Sequence, residues 1–108
     1  MAHYLLQVAY APEAVAAMIG NPQNRMEAVR SAIENLGGSV GEGWFTFGDY
    51  DLVMVCEFPD NASAAAFSMA VSAGGAVTAL KTTPLMTMEE GMEAMRKARG
   101  TGYTPPSS

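Results

Sequence analysis

Residues 3–10 alternate as a half-buried strand does: Tyr4, Leu6, Val8 and Tyr10 share one face, and His3, Leu5, Gln7 and Ala9 share the other. Ala11-Pro12-Glu13 then opens a short helix, with Pro in its first turn, that runs to Gly20 at a position suited to C′. Asn21-Pro22 reads as N-cap and first residue of a second helix. In it Met26, Val29, Ile33 and Leu36 recur at spacings of three and four, a single apolar stripe. Arg25, Glu27, Arg30 and Glu34 fall mostly off that stripe, and Gly37-Gly38 stops the helix.

The period then returns to two. Ser39 to Phe47 reads as a second strand, bulged near Gly41 and Gly43, and Tyr50 to Phe58 as a third. Gly48-Asp49 between them predicts a two-residue hairpin turn of type I′ or II′. Leu52-Val53-Met54-Val55-Cys56 is apolar on both faces, the pattern of a central strand covered on both sides. Pro59-Asp60 ends that strand, and Asp60 is placed to cap an Ala-rich helix from Asn61 to Ala73, which Gly74-Gly75 terminates. A fourth strand spans Ala76 to about Thr83. Thr87 and Glu90 then form a capping box for a last helix striped with Met88, Met92 and Met95.

The order β-α-β-β-α-β-α predicts a ferredoxin-like α+β fold, a four-stranded antiparallel sheet with helices on one face. A single domain occupies residues 1–97, and 98–108 reads as a flexible tail. One sheet face is left without helices although the third strand is apolar on both sides. Another copy of the chain, packed sheet against sheet or edge to edge, is the economical cover, so a homo-oligomer is expected.

Composition narrows the function classes. A net charge of −5 argues against nucleic acid, whose phosphates call for clustered Lys and Arg. Arg96, Lys97 and Arg99 read instead as a helix C-terminus complementing its dipole. No apolar run approaches the ~20 residues of a membrane span. No basic segment precedes a signal-like stretch at the start, and the cytoplasm is the default compartment. The single cysteine, Cys56, excludes an internal disulfide and reads as a small hydrophobe in its strand. Nine methionines suit an adaptable core or a subunit interface.

The chain resembles the GYD domain family, small bacterial and archaeal proteins named for a Gly-Tyr-Asp signature. The resemblance rests on the first strand, His3 to Tyr10, on Asn21-Pro22 with Arg25, and on Leu36-Gly37-Gly38. It continues through Thr46-Phe47-Gly48-Asp49-Tyr50-Asp51, Pro59-Asp60, Gly74-Gly75-Ala76-Val77 and Thr87-Met88-Glu89-Glu90. The signature is split here, Gly48-Asp49-Tyr50-Asp51. The resemblance implies a ferredoxin-like, oligomeric α+β domain and no particular activity; residues beyond about Lys97 lie outside it.

Candidate chemistry is sparse. Asp49 or Asp51 either accepts backbone N–H groups and pins the hairpin, or serves as a base or ligand contact on the open face. Trp44 and Tyr50 read as core aromatics or as a binding platform. Strand parity puts Asp51, Val53, Val55 and Glu57 on one face, and beside His3, Leu5, Gln7 and Ala9 they would make a mostly apolar surface with a few polar groups. Such a surface suits either a self-satisfied dimer interface or a small-molecule cavity between subunits.

His3, the only histidine, has no second His or Cys at metal spacing, so no intrachain metal site is expected, although copies of His3 related by symmetry stay open. No cofactor motif is present, since the paired glycines lack the Lys and spacing of a phosphate loop. The leading expectation is a binding domain for a small apolar ligand, contacted by Tyr10, Trp44, Tyr50, Asp51 and Glu57. The alternative is a cofactor-independent isomerase or monooxygenase of the dimeric α+β barrel style, with His3, Asp51 or Glu57 moving a proton. A structural, partner-binding subunit is the third.

Overall fold

The computed structural model describes residues 1–107. They form β1 (Ala2–Tyr10), α1 (Pro12–Gly20), α2 (Arg25–Asn35), β2 (Ser39–Phe45), β3 (Leu52–Phe58), α3 (Asn61–Ala73), β4 (Val77–Leu85) and α4 (Met88–Arg99). The strands make one antiparallel sheet in the order β2-β3-β1-β4, which is the ferredoxin-like arrangement.

Alternation decides which face is buried. Tyr4, Leu6 and Val8 of β1 point to the same side as Leu52, Met54, Cys56 and Phe58 of β3, and all seven are buried. Ile33 from α2 and Ala64 and Phe67 from α3 complete this core. Phe58 is its hinge, packing edge-on against Tyr4 with ring centroids 5.7 Å apart and tilted against Phe67 at 5.9 Å. Two polar contacts lock α3 to the sheet: the Tyr4 hydroxyl donates to Asn61 Oδ1 at 2.6 Å, and Ser68 Oγ lies 2.8 Å from Thr82 Oγ1.

Helix ends follow local chemistry. Asp60 caps α3, accepting from the Ser63 N–H at 2.8 Å. Hydrogen bonding by the Ser63 side chain, then by its backbone N–H, holds the Asp60 carboxyl below its usual range. Thr87 and Glu90 make the reciprocal capping box of α4. At the end of α2, Gly37 (φ 80°) and Gly38 return their N–H groups to Glu34 and Ile33 at 2.9 and 3.0 Å, a Schellman motif.

Several expected boundaries move. The second helix starts at Arg25 with Asn24 as N-cap, its side chain accepting from the Met26 N–H; Asn21-Pro22 instead lies in the connection, and Gly20 is the last residue of α1 rather than C′. β2 stops at Phe45 and β3 begins at Leu52, so Gly48-Asp49 is not a two-residue turn. The longer loop is closed by Thr46, whose N–H donates to the Asp51 carbonyl at 2.8 Å and whose hydroxyl donates to the Tyr50 carbonyl at 2.7 Å. β4 extends to Leu85, and β2 loses register between Val40 and Gly43 at the expected bulge.

The second face of β3 is not covered. Val53, Val55 and Glu57 stay partly exposed beside Leu5 and Gln7. Nor is α4 packed: none of its residues is buried, and Met88, Met92 and Met95 are 86%, 50% and 72% exposed. The radius of gyration, 17.3 Å, exceeds the roughly 13 Å of a compact chain of this length.

Gly38 tests the packing of this core. A Cβ there would press into the Glu57 carbonyl oxygen and stand 3.0 Å from both Ile33 Cγ2 and Phe58 Cδ1. At Gly43 the obstacle is only the flexible end of Met26. Gly38→Ala is expected to cost about 1–3 kcal/mol or more in urea unfolding and Gly43→Ala distinctly less; equal losses would contradict this packing.

Candidate functional site

The open sheet face carries a polar row across its strands at one end. Register aligns Leu85 of β4, His3 of β1, Glu57 of β3 and Ser39 of β2. His3 Nε2 lies 2.7 Å from Glu57 Oε1, and Ser39 Oγ donates to Glu57 Oε2 at 3.0 Å. The pair is half exposed, so its contribution to stability is at most about 1 kcal/mol. What the row supplies is orientation: both oxygens of one carboxylate are held, with an imidazole on one side and a hydroxyl on the other.

Next to this row the face turns apolar through Leu5 and Val55, then Val53 and Trp44, with Gln7, Lys81 and Thr83 interspersed. Where β2 bulges, Gly41 brings no side chain, and a Cβ there would come 2.9 Å from the Val55 carbonyl oxygen. His3, Ser39, Gly41, Val55 and Glu57 border a shallow hollow of about 400 Å³ at this place. It is apolar on its floor and polar along one edge.

The sequence candidates divide between the two ends of the sheet. Glu57 and His3 meet at the hollow. Trp44 pairs with Val53, about 13 Å along β3 from Glu57. It is 55% exposed, so it is not a core aromatic. Tyr10 and Asp51 come together at the far end, where Asp51 Oδ2 accepts the Tyr10 N–H at 2.8 Å and the Asp51 N–H donates to the Val8 carbonyl at 2.8 Å. Asp51 precedes the regular part of β3 and reaches across to β1, although parity alone would put it with Val53 and Val55. Tyr50 is half-buried in the loop.

Tyr10 also helps to line two apolar cavities. One, of about 270 Å³, lies between α1 and the β2–β3 loop, walled by Val15, Met18, Ile19, Phe45 and Asp51. The other lies on the helix side between α2 and α3. Ser39 was not singled out by the pattern of residues, because the bulge after Val40 offsets its register with Glu57; Gly41 was expected only as a bulge position.

Cys56 is buried on the helix side, and burial pushes its thiol up to about 11, so it stays protonated at neutral pH. Among the described residues no three His, Cys, Asp or Glu side chains converge as a metal-ligand set. No described helix is long and apolar enough to cross a membrane.

A family model, the GYD domain, matches residues 4–95. No curated protein and no solved structure matches the chain.

The Asp51 contacts generate a stability prediction. Asp51→Ala leaves the Tyr10 N–H without its acceptor and is expected to cost about 1–3 kcal/mol in urea unfolding. Asp51→Asn keeps an acceptor oxygen and should cost less. If both variants unfold with the wild-type midpoint, the carboxylate is not a structural pin.

Proposed function

The chain belongs to the GYD domain family, and we propose that it works as a homo-oligomeric binding domain whose open sheet face closes on a second copy around a small, mostly apolar molecule. The observation that carries this reading is the uncovered sheet face itself. Leu5, Val53, Val55 and Trp44 are apolar and at least partly exposed, on a surface that no helix among the described residues covers. Contiguous apolar surface of this kind marks an interaction site in a small protein.

The unpacked α4 supports the same reading. Arg96 pairs with Glu89 at 3.5 Å and with Glu93 at 3.2 Å, so the polar flank of the helix is satisfied within itself. Its Met88, Met92 and Met95 stripe has no such partner, and methionine packs readily against irregular apolar surface. At the interface the hollow beside Gly41 gives room for a ligand. Glu57, His3 and Ser39 form its polar edge, and Trp44 stands about 13 Å farther along the same face. In this reading Tyr10 and Asp51 order the far end of the sheet and do not touch that ligand.

A second reading, a cofactor-independent enzyme, is favoured by one observation: Glu57 is held by both His3 and Ser39 beside an apolar floor. A carboxylate and an imidazole in hydrogen-bond contact are suited to passing a proton to or from a bound molecule. Asp51, engaged with the backbone of β1, has no part in it.

Native mass spectrometry of the protein from its own host tests the first reading. Wild-type protein is expected as an oligomer carrying a stoichiometric extra mass, and Val55→Glu as a folded monomer without it. A wild-type monomer at micromolar concentration would overturn the proposal. Glu57→Gln separates the two readings. Turnover lost with fold and subunit count intact favours the enzyme, whereas weaker ligand retention with no activity to lose favours the binding domain.

A further inference from the structure

The helix side of the sheet holds a cavity whose chemistry is different. It measures about 170 Å³ and lies between α2, α3 and the underside of the sheet, walled by Val29, Phe67, Val71 and Leu80 among others. The Ala-rich surface of α3 leaves this gap, since Ala70 presents only a methyl group there. Of all the residues around it, only Tyr10 and Arg25 carry polar side-chain groups.

Arg25 is the unusual member. Its guanidinium donates through one terminal nitrogen to Gln23 Oε1 at 2.8 Å, but its Nε is buried and has no hydrogen-bond partner in the protein. Among the described residues no carboxylate pairs with it, whereas Arg30 and Arg96 both have acidic partners. A buried donor without an acceptor costs free energy comparable to a lost hydrogen bond, and more when the group is charged. Asp51, which lines the adjacent cavity that Tyr10 also borders, is engaged with the Tyr10 N–H. An arginine in the wall of an otherwise apolar, partly open cavity is the complement of an amphiphile with an anionic head.

We propose that this cavity binds a small apolar monocarboxylate, its hydrocarbon part between α2 and α3 and its carboxylate on the Arg25 guanidinium. Size limits the class. An apolar cavity of about 150 Å³ accommodates one benzene ring, so a single ring or a short alkyl chain fits and a long-chain acid does not. The planar guanidinium fork matches a carboxylate in a way that a lysine would not. This site lies across the sheet from the hollow bordered by Glu57 and does not depend on the oligomer or on its ligand.

Benzoate, with benzyl alcohol as the neutral probe of the same ring size, tests the inference on the full chain by amide and methyl NMR titration. Benzoate is expected to shift Val29, Val71 and Leu80 and to bind at least about tenfold more tightly than benzyl alcohol. Arg25→Met should reduce benzoate to the level of the alcohol, and Arg25→Lys should recover only part of the difference. Ala70→Phe, which fills the cavity, should abolish both responses. Should Arg25→Met fail to fold, the lysine variant and the location of the shifts in the wild type still decide the matter. Equal binding of the two probes, shifts confined to the open sheet face, or no response at millimolar benzoate would each overturn the proposal.

Discussion

The pairing of β1 with β3 is the contact on which everything else rests. Along it Tyr4, Leu6 and Val8 are matched with Cys56, Met54 and Leu52, so two strands present one continuous apolar surface to the helices. Each such side chain contributes on the order of 1.5–3 kcal/mol when fully buried. α2 and α3 are held in place by that surface far more than by their own propensities. The same pairing aligns His3 with Glu57 and Gln7 with Val53 on the reverse side. A slip of one residue would turn the core outward and scatter the polar row, so fold and candidate site share a single register.

Two surfaces of different character follow from that register. The open face is broad and shallow, apolar in the middle and edged by a carboxylate whose two oxygens are both engaged. The helix side holds a smaller, partly open apolar cavity of about 170 Å³, with one cation in its wall. Asp51 belongs to neither: from the β2–β3 loop it reaches to the backbone of β1, where it accepts the Tyr10 N–H.

Most of the architecture was legible in the residues. The alternation in β1 and β3, the three-and-four spacing of α2, the Asp60 cap and the Thr87–Glu90 box all declare themselves locally, because each depends on neighbours within a turn or a strand. The departures occur where the deciding partner is remote. Gly48-Asp49 looked like a tight hairpin, but Thr46 closes a longer loop through Asp51 and Tyr50. Parity assigned Asp51 to the open face, yet the Tyr10 N–H, 41 residues away in the chain, claims its side chain. Arg25 fell off the apolar stripe of α2, and nothing within that helix reveals that its Nε is buried without a partner. Ser39 pairs directly with Glu57, but the bulge between Val40 and Gly43 shifts that pairing by one residue from the register of Phe45 with Leu52. Trp44 was readable as a core residue only as long as a cover for its strand was assumed.

The two outer strands bear on how the proposed oligomer would be built. β2 is irregular at Gly41 and Gly43, and β4 carries Lys81 and Pro84, the latter without an N–H to offer. Bulges, a lysine and a proline are what sheet edges use to refuse an additional strand. Lateral growth of the sheet into a ribbon of chains is therefore discouraged on both flanks. In the oligomer proposed above, the faces would be left for contact, which favours closed complexes over open-ended fibres.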